Sequence, residues 1–118
     1  MTDEFELFDL RIRIESIQGR CTCDHHVGDE FEMKSGKLYL PADKSFCVYA
    51  MQATIPLLPA KQRAIHPNDW MSTDARVVCP DPSCGVVMVI ERTGRRTLRH
   101  RDVSATPFDP EDPPRQSH

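Results

Sequence analysis

The chain has 118 residues, 39% hydrophobic and 28% charged, with a formal net charge of −3. That length holds one modest core and not two, and the acidic total argues against a general nucleic-acid binder. No apolar run approaches the roughly 20 residues of a membrane span, and the acidic start MTDEFELFDL has neither the basic end nor the apolar stretch of a signal peptide; the expected address is the cytoplasm.

In residues 7–17, Phe8, Leu10, Ile12 and Ile14 alternate with charged residues, which predicts a half-buried strand. A loop, QGRCTCDHHVGD, follows. EFEMKSGKLYL then reads as a hairpin turning at Ser35-Gly36. A helix is expected over residues 45–58, capped by Ser45 or Asp43 and ended or kinked at Pro56. Its apolar positions form two adjacent stripes, Phe46, Ala50, Ala53, Leu57 and Cys47, Met51, Ile55, Leu58, so it is buried in its own core or against another chain. Residues 59–74 have the composition of a long ordered loop carrying the only tryptophan, Trp70. ARVVCP and GVVMVIERT make two strands around a second cysteine turn. The stretch RTGRRTLRHR holds five arginines, and SATPFDPEDPPRQSH holds four of the ten prolines with little to bury. The resulting expectation is a small single α+β domain of short antiparallel strands and one main helix: a metal-binding unit over 1–93 and an Arg/Pro-rich tail over 94–118, disordered or ordered by a partner.

The chemistry-bearing residues are the cysteines. In a reducing compartment paired cysteines are metal ligands or reactive thiols more often than disulfides, and five is an odd count for a disulfide framework. Two strand-loop-strand units each carry a pair, Cys21 with Cys23 and Cys79 with Cys84, the layout of a zinc-ribbon-like site. Gly85 follows the second pair where a tight turn needs it. His25 and His26 add imidazoles to the first loop, one facing in and the other out. Thiolate with imidazole favours zinc over oxygen-seeking calcium or magnesium; four cysteines could instead hold an iron–sulfur cluster. Cys47, on an apolar helix, reads as a small hydrophobe.

These residues carry a resemblance. The chain resembles a widespread group of small uncharacterised prokaryotic proteins that share a first strand, Cys-x3-His-x-Val-Gly-Asp-x-Phe, Phe-Cys near a helix start, and Cys-Pro-Asp-Pro before a last strand. Here those are Cys21, His25, Val27, Gly28, Asp29 and Phe31; Phe46-Cys47; and Cys79-Pro80-Asp81-Pro82, within about residues 7–93. The resemblance implies that Cys21, His25, Cys47 and Cys79 belong together, with Cys23 and Cys84 as extras, and it supplies site candidates without a reaction.

No phosphate-binding glycine loop or dinucleotide fingerprint is present. Cys21 with His25 is formally a nucleophile–base pair, and Cys21, His25 and Cys79 could hold a catalytic zinc with an open position. A crowd of soft ligands and an over-apolar helix point instead to a non-catalytic accessory subunit docking on a larger cytoplasmic enzyme, by analogy a decarboxylase or acyl-transfer complex, or to a homo-oligomer. In that reading residues 92–114 order on the partner, anchored by Phe108. The alternative is a stand-alone metalloenzyme or iron–sulfur protein using the same cluster. Nucleic-acid binding through RTGRRTLRHR lacks interleaved aromatics.

Overall fold

The computed structural model describes residues 3–108. Its strands are β1 (Glu4–Ile17), β2 (Glu30–Lys34), β3 (Lys37–Tyr39), β4 (Arg76–Val78) and β5 (Val86–Arg99), and its helices α1 (Val48–Thr54), α2 (Leu58–Lys61) and α3 (His100–Val103). The strands form one antiparallel sheet in the order β3-β2-β1-β5-β4, with the first and last strands in chain order pairing near its middle. The small α+β class with antiparallel strands is as expected, but β1 and β5 are each 14 residues long rather than short; no helix among the described residues is long and apolar enough to cross a membrane.

The alternation in β1 places Leu10, Ile12 and Ile14 fully inside, against Phe31 of β2 and Val86, Met88 and Ile90 of β5. Complete burial of each such side chain contributes ~2 kcal/mol relative to exposure. The hairpin turns where expected: Ser35 and Gly36 both take positive φ, 58° and 114°, the requirement of a tight turn whose twist matches its strands.

The helical segment starts later and runs further than its sequence implies. Cys47, not Ser45 or Asp43, stands at the N-cap, and α1 passes through a 3-10 turn (Ile55–Leu57) into α2. Pro56 and Pro59 each fall at the start of a new helical piece, where a missing N–H costs nothing, so they bend the run without ending it. Ala50, Thr54 and Leu58 are the buried stripe. Thr54 is tolerated inside because its hydroxyl donates to the Met51 carbonyl at 2.6 Å. Lys61, also buried, donates to the Met71 carbonyl and ties down the loop that carries Trp70.

The largest departure from expectation is at the C-terminal side. The boundary at 93/94 falls inside β5, which continues to Arg99 paired with Glu4–Asp9, and α3 follows. Four of the five arginines of this stretch are already engaged through their side chains. Arg95 pairs with Glu6 at 3.0 Å, Arg96 grips Asp9 at 2.7 and 2.9 Å, and Arg99 lies 3.5 Å from Asp3. Arg92 donates to the carbonyls of Lys61 and Arg63, with its guanidinium 4.0 Å from the Phe8 ring centroid. Phe108 stacks on His100 with centroids 4.0 Å apart. The segment up to residue 108 therefore packs against its own chain in place of the expected free tail; the remainder of that tail lies outside the described residues.

The Arg96 guanidinium holds the Asp9 carboxyl below its ordinary range, outweighing burial. A carboxylate with a depressed native pKa contributes stability above its unfolded-state pKa and loses it as pH falls through the native value. Asp9→Asn is expected to melt about a few degrees lower than wild type at neutral pH, with the gap closing in strong acid. Thermal unfolding across that pH range measures it, and a gap independent of pH would refute the pairing.

Candidate functional site

The ladder between β1 and β5 does not stop where the strands do. Gln18, Gly19 and Arg20 donate their amides to the carbonyls of Gly85, Cys84 and Ser83 at 2.9, 3.2 and 3.0 Å. The two cysteine loops are thus stitched side by side. This needs glycine twice: a Cβ on Gly19 would lie 2.0 Å from the Ser83 carbonyl oxygen, and Gly85 has φ +66° with a Cβ position 2.8 Å from the Gly19 nitrogen. The second loop is a closed turn, with Cys79 N–H donating to the Val86 carbonyl at 2.9 Å. Asp81 accepts from Ser83 N–H through its side chain and from Cys84 N–H through its carbonyl.

His25 joins the first loop to α1. It is 8% exposed, and its Nε2 accepts the Cys47 backbone N–H at 2.9 Å. That bond requires a lone pair on Nε2, so the proton sits on Nδ1, which donates to Asp29 Oδ2 at 3.2 Å. The same carboxylate oxygen accepts His26 N–H at 3.0 Å. These contacts, the His26 amide foremost, hold Asp29 below the usual carboxylate range. The His25 ring leans on Phe46, which meets Phe31 edge-on at 4.8 Å between centroids. His25, expected among the metal ligands, therefore has both nitrogens committed and acts as a strut between two loops. His26 is exposed.

The result is a cleft of about 490 Å³ that all five cysteines line, with His25, Tyr49 and Asp81 among their neighbours. All five are free thiols: Cys79 buried, Cys21, Cys47 and Cys84 half-buried, Cys23 exposed. They interact in pairs. The Cys23 thiol donates to Cys47, which, with burial and the nearby sulfurs of Cys21 and Cys79, pushes Cys23 up to about 11. Burial first, then donation to Cys21, likewise pushes Cys84 up to about 11. Cys47 shifts the other way: burial opposes its ionisation, but the amides of Ala50 and Tyr49 and the Cys23 thiol outweigh it. Cys47, helix filler by its position alone but grouped with Cys21, His25 and Cys79 by the resemblance, packs against the core and also lines the cleft. No group of three or more His, Cys, Asp or Glu among the described residues is already drawn together as a metal cage.

Sequence reasoning named all the thiols but missed Gly19, whose signal, a glycine two residues before the first cysteine, was present. No known protein family, curated protein or solved structure matches the chain.

Gly19→Ala is expected to destabilise the fold by about 1–3 kcal/mol through forced separation of the two loops. It should also make the buried Cys79 react in the native state with an aromatic disulfide reagent at a rate approaching that of Cys23. Unchanged melting and a protected Cys79 would mean that the loop contact is not what closes the cleft.

Proposed function

We propose that the cleft takes up one zinc ion and that the chain is a small, non-catalytic metal-binding subunit docking on a larger enzyme. The observation that carries this is the meeting of five thiols from three separate segments at one end of the sheet. A group of soft sulfur donors suits zinc, which takes four ligands in a closed tetrahedral structural site. Cys21, Cys47, Cys79 and Cys84 are the set the cleft favours, in a zinc-ribbon-like arrangement with Cys47 added, leaving exposed Cys23 outside. The cleft is wider than such an ion needs, so these thiols would turn inward on binding. An iron–sulfur cluster on the same all-thiol set is the second reading.

The commitment of His25 to the Cys47 amide and to Asp29 takes away the imidazole that a thiol–histidine catalytic dyad would use as its base. Docking is supported by the outer side of α1 and the turn after it: Val48 and Tyr49 are each 65% exposed and Ile55 40%, next to the cleft. This face replaces the arginine stretch as the proposed contact, since those arginines are engaged within the chain. The partner, a decarboxylase or acyl-transfer enzyme by analogy, or a second copy of the chain, remains part of the proposal.

Elemental analysis of untagged protein should give one zinc per chain. Cys21→Ser, Cys47→Ser, Cys79→Ser and Cys84→Ser should each lose most of it, while His25→Gln keeps it. Structural zinc supplies ~10 kcal/mol or more of apparent binding energy, so a chelator at neutral pH should unfold or aggregate the protein. Metal-free protein with an unchanged melting temperature would end the zinc reading, and iron with visible absorbance would replace it with a cluster.

A further inference from the structure

Four thiols complete a tetrahedral site, and this cleft has five. The surplus one is not an arbitrary bystander. Cys23 is the exposed member of the group, is separated from Cys21 by Thr22 alone, and lines the same cleft as Cys47, with whose thiol it interacts. Cys47 in turn is the ligand candidate from the helical segment, held by the His25 strut and flanked by the open start of α1. Linking Cys23 to Cys47 would tie the first loop to α1 while removing one donor from the site. Cys21, Cys79 and Cys84 would be left as three ligands, one short of a closed site.

We propose that Cys23 and Cys47 are an oxidative modification site, forming a disulfide under a peroxide and thereby opening the metal site. The Cys47 thiolate attacks one peroxide oxygen, the O–O bond breaks, and hydroxide leaves, giving a sulfenic acid on Cys47. The Cys23 sulfur then displaces that oxygen, which departs as water with the Cys23 proton, and the S–S bond forms. Two electrons from the two sulfurs reduce the peroxide. A thiol reductant reverses the change and restores the fourth donor. Loss of metal in this scheme rests on the zinc reading, whereas the pairing of Cys23 with Cys47 does not.

The test uses the full chain, loaded with zinc and exposed to hydrogen peroxide, with released zinc followed by a colour-forming chelator and disulfides mapped by mass spectrometry after alkylation of free thiols. Wild type is expected to release its zinc and to show a Cys23–Cys47 bridge. Cys23→Ser should bind one zinc and release it at least tenfold more slowly, and Cys23→Ala should match it if serine perturbs the loop. Bridging elsewhere, for instance Cys21 to Cys84, overturns the proposal, as does wild-type release from both variants or failure of both to hold zinc. If wild type carries no zinc, the zinc reading has failed, and the disulfide map of the metal-free chain decides alone: a Cys23–Cys47 bridge supports the site, and any other bridge or none overturns it.

Discussion

The pairing of β1 with β5 is the constraint on which the molecule depends. It runs from Glu4 opposite Arg99 to Ile17 opposite Val86 and continues through the amides of Gln18, Gly19 and Arg20. Two register shifts, which leave Thr93 and Glu15 without an opposite residue, let strands this long twist without losing their ladder. Because the partners lie at opposite ends of the sequence, this one pairing closes the whole chain. The entropy of closing a long loop rises only slowly with its length, so many hydrogen bonds and a shared apolar face can offset it. At one end the pairing sets the two cysteine loops side by side. At the other it leaves a two-stranded arm beyond the short strands β2 and β4.

That arm explains why an arginine-rich stretch in an acidic protein is not a basic patch. Cross-strand register puts the acids of β1 near the arginines of β5, so Glu6, Asp9 and Asp3 meet Arg95, Arg96 and Arg99. Such pairs are individually weak where exposed, but they balance the arginine charges locally with acids of the same sheet. Phe8 adds an aromatic surface for Arg92 on the face that also packs against the core.

The residues around the first cysteine loop take on physical roles once the loops are placed. Gly28 has φ +97° and donates to the Ile14 carbonyl, Asp29 returns its carbonyl to the Ile14 amide, and Phe31 is fully buried. His25 fastens this turn to the start of α1 through a backbone amide. A histidine and an aspartate near cysteines invite a reading as ligands or as a catalytic dyad. Here they instead satisfy a buried N–H that would otherwise cost about 1–3 kcal/mol, and in doing so they set the position of Cys47.

Local pattern was enough for the core-facing parts of the strands, the Ser35-Gly36 turn and the identity of the thiols, because alternation, turn chemistry and residue type act over a few neighbouring positions; it left open which of His25 and His26 turns inward. It misjudged what depends on distant partners. The arginine stretch read as a tail because its neutralising acids are some ninety residues away, in β1. That Cys47 lines the cleft as well as packing on the core was hidden, because nothing near it in sequence says that a histidine from another loop fixes the helix start. The helix outran Pro56 because each proline begins a new turn, a matter of backbone geometry rather than composition. Residue type along the chain set which groups could do chemistry, whereas folding set which of them meet, since that rests on a long-range ladder and on two glycines that permit the loops to touch.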